Sequence, residues 1–313
     1  MHVQDLTKEE AENSETLFPL EIEKNLWVCY HGTSSIAERA IDEEGLRYRP
    51  SLCSRGELEQ VVRIFKSIDW PGTQGGYPII DAYSLQNDFG ATDTKPVFLR
   101  ELPTQSLSYA GGDLAGGESA AAVRRAFVDL DKFLNDKTVR DRHLAERRET
   151  CIRFAKDDHP PRVIEVDLDW LTTQLENLQD LRERCERARQ DYAHGVLYAV
   201  EFKPEDLPHV LFSSTGGLHC FTPLAKERIV GKIRIFGADG GLQSRKNDCL
   251  KMIARNEAEE SLIQALEQET KRYPDRFSHR RPNGPQAHQL PNFRDVNAGT
   301  DLGPAIAQEY RRA

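Results

Sequence analysis

A strand–turn–helix unit near the N-terminus constrains the fold of this chain more than any other part of its sequence. The apolar and aromatic run at residues 26–30 (LWVCY) predicts a buried strand. The tripeptide HGT at 31–33 follows it, and we expect a helix to start at Ser35, with Glu38 completing a capping box. A Gly-Leu pair at 45–46 predicts the end of that helix. A buried strand followed at once by a short amphipathic helix indicates a domain of packed sheet and helix layers.

The remaining apolar patterns predict further strands and helices along the chain. We expect strands at 97–100, 162–168, 195–202, 217–221 and 229–236. We expect helices at 58–68, 104–110, 119–154 with a break near Asp136, 171–192 and 248–271. Because most strands come late and most helices come before them, the order predicts a mixed α+β fold and not a doubly wound parallel sheet. No GxGxxG or GxxxxGK[ST] motif is present, so Rossmann and P-loop chemistry lack support.

Composition shifts suggest how the chain divides into parts. The C-terminal segment is rich in Pro, Asn, Gly and Gln and has no apolar period, which is typical of a flexible tail. We therefore expect an N-terminal arm at 1–20, one domain at 21–240 with insertions at 47–95 and 119–160, an amphipathic helix at 241–272 and a flexible tail at 273–313.

Charge, hydropathy and cysteine usage exclude several classes of protein. The 42 Lys and Arg residues against 51 Asp and Glu give a net charge of −9, which argues against nucleic-acid backbone binding as the main role. No apolar run reaches the ~20 residues of a membrane span. The acidic N-terminus does not resemble a signal peptide, so we expect a cytoplasmic protein or an effector exported without a signal. The six cysteines form no CxxC pair, and we expect buried thiols and no metal site.

Three segments together resemble the ADP-ribosyltransferase superfamily, whose members include diphtheria-toxin-like, poly-ADP-ribose-polymerase-like and, more distantly, RNA 2′-phosphotransferase enzymes. YHGTSSIAERAIDEEGL at 30–46 resembles the first family motif, and PVFLRELPTQSLSYA at 96–110 resembles the second. FSSTGGLHCFTPLAKERIVGKIRIF at 212–236 is similar to the late strands of the phosphotransferase branch. The resemblance implies a split antiparallel β-sheet core with helical insertions, and NAD as the substrate.

The resemblance also assigns roles to particular residues. His31 would hydrogen-bond the adenine-side ribose of NAD, and the main chain of Gly32 would hold the nicotinamide carboxamide. Tyr109 would stack on the nicotinamide ring. The remaining residues expected to bind NAD are Thr33, Ser34, Leu218 and His219.

The family's transferases add a carboxylate on a late strand, which stabilises the positive charge that develops on the ribose. Here the corresponding positions 217–219 (GLH) carry no acid. Glu201, Glu227 and Glu118 are the nearby alternatives, and we take Glu201, with His31 and Tyr109, as the candidate catalytic set.

The sequence therefore predicts an NAD-dependent ADP-ribosyltransferase, of the glycosyltransferase class, that modifies a protein or a nucleic acid. An RNA 2′-phosphotransferase-like enzyme is the first alternative, although Tyr30 stands where that branch has Arg, and Arg47, Arg49 and Arg55 are the basic residues at hand. The second alternative is a module that binds NAD or ADP-ribose without catalysis.

Overall fold

A seven-stranded sheet organises the described part of the chain. The structure, a computed structural model, describes residues 1–68, 96–153, 165–212, 217–243 and 261–272. The strands are β1 His2–Thr7, β2 Val28–Ser34, β3 Val97–Arg100, β4 Gly195–Glu201, β5 Val210–Phe212, β6 Gly217–Cys220 and β7 Ile229–Phe236. Their order across the sheet is β1-β7-β4-β2-β3-β6-β5. Every neighbouring pair is antiparallel except β1 with β7, so the mixed α+β class that the sequence predicts is confirmed.

Helices cover the sheet and form a layer beside it. They are α1 Lys8–Asn13, α2 Leu20–Glu23, α3 Ser35–Glu44, α4 Arg55–Ser67, α5 Pro103–Leu107, α6 Glu118–Asn135, α7 Lys137–Arg153, α8 Leu168–Glu176, α9 Gln179–Gln190 and α10 Leu262–Arg272. The predicted break near Asp136 separates α6 from α7. The Asp136 carboxylate accepts hydrogen bonds from the backbone N–H groups of Thr138 and Val139 and so caps the start of α7.

The apolar side chains of the described residues form three cores. One lies on the sheet face that carries α5 and includes Tyr30, Leu197 and Ile233. A second lies on the face that carries α3 and includes Tyr198 and Leu218. The third is helical and joins α4, α6, α8 and α9. Because β4 has a core on each face, its residues from Gly195 to Val200 are all buried.

The strand–helix unit differs in detail from its prediction. β2 does not end at Tyr30 but runs through Ser34, because all seven residues pair with β4. The predicted capping box is wrong: Ser34 occupies the N-cap without a side-chain bond. The Ser35 hydroxyl accepts instead from the backbone N–H groups of residues 193 and 194. Gly45 does end α3, with a φ of 82° that favours glycine.

Part of the expected N-terminal arm, residues 2–7, belongs to the sheet. β1 pairs with β7 over six residues, and Leu6 lies opposite Ile235 in the sheet core. Sequence patterning missed β1 because its burial is one-sided and confined to Leu6. The short strand β5 was also not expected.

Two other expectations are corrected by the described residues. The strand predicted at 162–168 is not present at 165–168, because the Asp167 carboxylate caps α8 by accepting from the Trp170 N–H. The helix predicted at 171–192 is two helices, α8 and α9. Residues 162–164, 69–95 of the first insertion, 244–260 and the tail 273–313 lie outside the described residues.

Within the described ranges, the structure contains no helix with the length and apolar character needed to span a bilayer.

Candidate functional site

β2 and β3 pair at one position and then separate. Tyr30 lies opposite Arg100, and no other residues of these two strands pair with each other. The Tyr30 carbonyl accepts a hydrogen bond from the Ser106 hydroxyl on α5 at 2.8 Å. Beyond this point, Nδ1 of His31 lies 2.8 Å from the Phe98 carbonyl oxygen. The imidazole of His31 thus bridges the two strands where their backbones no longer pair.

At Gly32, β2 closely approaches the segment that carries Tyr109. A Cβ atom on Gly32 would lie 1.9 Å from the Ser106 carbonyl oxygen and 3.0 Å from the Tyr109 Cβ. No side chain fits at this position, so glycine is required for the two segments to meet. The close approach therefore brings Tyr109 directly beside the residue that follows His31.

The backbone of Gly32 faces the gap between the separating strands. In a strand, the N–H and C=O groups of residues two apart point to the same side. Since the Tyr30 carbonyl points toward α5 and β3, the polar backbone groups of Gly32 point the same way. These groups are the main-chain donor and acceptor that the sequence assigned to the nicotinamide carboxamide.

Arg100 holds the phenol of Tyr109. Its guanidinium donates to the Tyr109 hydroxyl at 2.9 Å and lies 5.7 Å from the ring centroid. Phe98, two residues earlier in β3, lies on the same face, and its ring meets the imidazole of His219 edge-on at a centroid distance of 4.8 Å. Phe98 is 48% exposed, so this aromatic pair is open to solvent.

We call the residues so gathered the β2–β3 junction. Its members are His31, Gly32, Phe98, Arg100, Tyr109 and His219.

Both imidazoles of the junction have a lowered pKa, which favours their uncharged form. Burial lowers the pKa of His31, and the hydrogen bond to the Phe98 carbonyl offsets this only in part. Burial also lowers the pKa of His219, and the neighbouring Arg100 cation adds to the effect. Because a carbonyl only accepts, Nδ1 of His31 carries its proton and Nε2 is left as an acceptor. Arg100 carries the formal charge of the junction.

The other predicted NAD-binding residues occupy different positions. Thr33 is half-buried in β2 opposite Val196, and Ser34 is buried at the N-cap of α3. Leu218 is fully buried in the core on the α3 face, because it alternates with His219 along β6. The structure therefore brings His219 to the junction and turns Leu218 away from it.

Glu201, the third residue of the candidate catalytic set, lies at the far end of β4. It pairs with Val28, three residues along β2 from His31. That separation is roughly 10 Å at about 3.3 Å per residue. Its carboxylate accepts from the side-chain amide of Asn25 at 3.1 Å. The structure does not bring Glu201 together with His31 and Tyr109.

The alternative residues lie in other elements. Glu118 begins α6, and Glu227 lies in the short 3-10 segment Lys226–Arg228. Arg47 and Arg49, considered for an RNA phosphate, both form ion pairs with Glu44.

A buried ion cluster fixes α3 against the sheet. The Glu38 carboxylate accepts from Lys232 at 3.0 Å, Arg234 at 2.6 Å and His194 at 2.7 Å. Lys232 also donates to Asp42 at 2.6 Å. These bonds join α3 to β7 and to the residue before β4, and so hold the C-terminal end of β2 in place.

Sequence reasoning missed three residues that shape the junction. Phe98 and Arg100 alternate along the strand before Tyr109, and that period-two pattern was the signal available. Ser106 bonds to β2 through its side chain and packs against Gly32 through its carbonyl, and no local pattern indicates either contact.

Comparisons with known proteins give no relative: no family model matches the chain, and neither a curated protein nor a solved structure matches it significantly. In the part of the chain that the structure describes, no group of three or more His, Cys, Asp or Glu side chains is placed to hold a metal ion.

Proposed function

We propose that this chain is an NAD-dependent ADP-ribosyltransferase that modifies a protein or a nucleic acid, and that the β2–β3 junction binds NAD. The observation that carries the proposal is the approach of Gly32 to Tyr109 beside a strand gap that His31 bridges. The motif resemblance named these same three residues from sequence.

His31 supports the proposal through its protonation state. The Phe98 carbonyl fixes the proton on Nδ1, and burial keeps the ring neutral, so Nε2 is an oriented acceptor. A ribose hydroxyl is a donor that matches such an acceptor.

Gly32 and Tyr109 offer complementary contacts for nicotinamide. A carboxamide both donates and accepts, and the N–H and C=O of Gly32 face the gap in the orientation that such a group pairs with. The Cβ of Tyr109 lies beside Gly32, and Arg100 restrains the Tyr109 hydroxyl, so the ring is anchored at both ends for stacking. The fixed ring needs little ordering on binding, which favours affinity.

In the transfer itself, a nucleophile of the acceptor attacks C1 of the nicotinamide-side ribose. The bond to nicotinamide breaks, nicotinamide leaves with the electron pair, and the nucleophile loses its proton. Positive charge develops on the ribose during this step, as it does in glycoside hydrolysis. The six junction residues include no carboxylate, so their proposed work is to bind and orient NAD.

One observation favours the RNA 2′-phosphotransferase-like alternative. Arg100 places a cation beside Tyr109 and His219, where sequence reasoning had found no basic residue. A guanidinium pairs well with a phosphate. We therefore keep this reaction as the second candidate function.

NAD binding tests the junction. NAD at about 100 times its Kd should raise the melting temperature of the wild type by roughly 3–8 °C, because ligand binds only the folded state. H31A and H31N should both lose this rise, although Asn can still donate to the Phe98 carbonyl. H209A, which changes an exposed histidine outside the junction, should retain it. An undiminished rise in H31N would remove His31 from the NAD site.

The reaction is identified by nicotinamide release. Release with transfer of label from NAD to macromolecules of a lysate supports ADP-ribosylation. Release that requires an RNA carrying a 2′-phosphate supports the second candidate instead. A thermal shift without release under either condition would leave a binding module and refute both reactions.

A further inference from the structure

Two buried cysteines far apart in sequence meet in the helical core. The sulfur atoms of Cys53 and Cys185 lie 3.6 Å apart, across 132 positions of the chain. Cys53 is 1% exposed and Cys185 is 0% exposed. Neither residue belongs to the β2–β3 junction, so the pair is independent of the proposed function.

Neighbouring contacts hold the two thiols in position. Arg184, next to Cys185 on α9, pairs with Glu57 of α4 at 2.5 Å. Glu57 also forms the capping box with Ser54 that starts α4 directly after Cys53. The guanidinium of Arg124 on α6 donates to the Cys185 carbonyl at 3.0 Å. The contact between the sulfurs is therefore fixed from both sides by polar bonds.

The two thiols are chemically unequal. The hydrogen bond between the two thiols lowers the pKa of Cys185 and, with the nearby Arg124 and Arg184 cations, outweighs burial, which acts to raise it. That same bond, with burial, raises the pKa of Cys53. Cys185 is thus the better nucleophile, and Cys53 is the partner that keeps its proton.

We propose that Cys53 and Cys185 form a redox pair that closes to a reversible disulfide between the segment before α4 and helix α9. The sulfurs must approach from 3.6 Å to about 2.05 Å. Cys53 lies outside the regular helix, in the segment between α3 and α4, so closing the bond changes a connecting segment and leaves helix α9 intact.

Hydrogen peroxide is a suitable oxidant because a small molecule reaches a buried thiol during local opening. The Cys185 thiolate attacks one peroxide oxygen, the O–O bond breaks, and the product is Cys185 sulfenic acid with one water after protonation. The Cys53 sulfur then attacks the Cys185 sulfur. The S–S bond forms, hydroxide leaves from Cys185, and the Cys53 proton converts it to a second water. Two thiols are oxidised and one peroxide is reduced; a dithiol reductant reverses the bond.

Mass spectrometry of the full chain tests the pair. We expect treatment with equimolar peroxide, alkylation of free thiols and digestion without reductant to yield a peptide linked through Cys53 and Cys185. Dithiothreitol should abolish the link. Because the bond closes a long loop of the unfolded chain, the oxidised protein should melt roughly 5–10 °C higher than the reduced one.

Variants separate this pair from general oxidation. C53S and C185S should lose the linked peptide and the melting shift, whereas C151S, which changes the half-buried thiol on α7, should keep both. The wild-type peptide map decides the matter even if a core variant does not fold. Peroxide-treated wild type in which Cys185 is sulfinic acid and Cys53 remains alkylatable would overturn the proposal. So would recovery of both residues as alkylatable thiols.

Discussion

Glu38 is a carboxylate that the fold keeps ionised. Burial alone would raise its pKa, but hydrogen bonds from Arg234, His194 and Lys232 outweigh burial and lower it to about 2 from an ordinary 4.5. Because the folded-state pKa lies below the unfolded one, the carboxylate adds stability above about pH 4.5. That contribution, about 3 kcal/mol, disappears as the pH falls toward 2. We expect urea unfolding to show E38Q less stable than the wild type at pH 7, with the two converging near pH 2.

A neighbouring glutamate provides the control for this residue. Glu43 lies on the same helix, is exposed, and forms an ion pair with Arg39 at 2.9 Å. E43Q should change the free energy of unfolding by less than about 0.5 kcal/mol at either pH. Equal pH dependence in E38Q and the wild type would show that the ion cluster does not control the acid stability of the fold.

At the scale of secondary-structure elements, one buried cation joins α6, α9 and the segment after Tyr109. Arg124 donates to the carbonyl oxygens of Asp113 at 2.6 Å, Ala115 at 2.8 Å and Cys185 at 3.0 Å. R124M keeps the length of the side chain but leaves these carbonyls without their donor. It should lower the free energy of unfolding by roughly 2–4 kcal/mol. The control is R125M, a change at the half-exposed neighbour. In chemical denaturation it should lower the free energy of unfolding by less than about 0.5 kcal/mol. An equal loss in the two variants would contradict this role for Arg124.

At the scale of the whole molecule, β1 ties the start of the chain to its last strand. Leu6 is 8% exposed and packs in the core beside Ile235, whereas Val3 on the same strand is 48% exposed. L6A should therefore lower the free energy of unfolding by about 2 kcal/mol, and V3A by well under 1 kcal/mol. Calorimetry on the two variants measures the difference. Similar melting temperatures would mean that β1 does not contribute to the cooperative core.

Local signals predicted much of the element order. β3 and β7 have the predicted bounds, the stop at Gly45 holds, and Asp136 separates two helices as expected. Each of these depends on residues within a few positions of one another, through alternation, turn conformation or capping. The strand predicted at 162–168 is absent from its described part, 165–168, because a capping aspartate outweighed an alternating pattern.

Part of the candidate site was likewise predictable from local sequence motifs, and part was not. Sequence motifs selected His31, Gly32, Tyr109 and His219. The structure packs Gly32 against Tyr109 and His219 against Phe98, and His31 reaches the Phe98 carbonyl from the opposite face of the sheet. Motif matching could not distinguish Leu218 from His219, because strand register decides which of two adjacent side chains faces the core. It also could not exclude Glu201 from this group, because distance along a paired strand follows from the pairing itself.

The sequence by itself determined where most strands and helices form, including the strand that carries His-Gly-Thr and the short helix that precedes Tyr109. Tertiary structure alone decided the pairing of β1 with β7, the bond from Arg100 to Tyr109, and the contact between Cys53 and Cys185. The physical reason is the distance along the chain over which each kind of interaction acts. Conformational preferences act between neighbours along the chain, whereas these contacts depend on how whole layers pack and in which register.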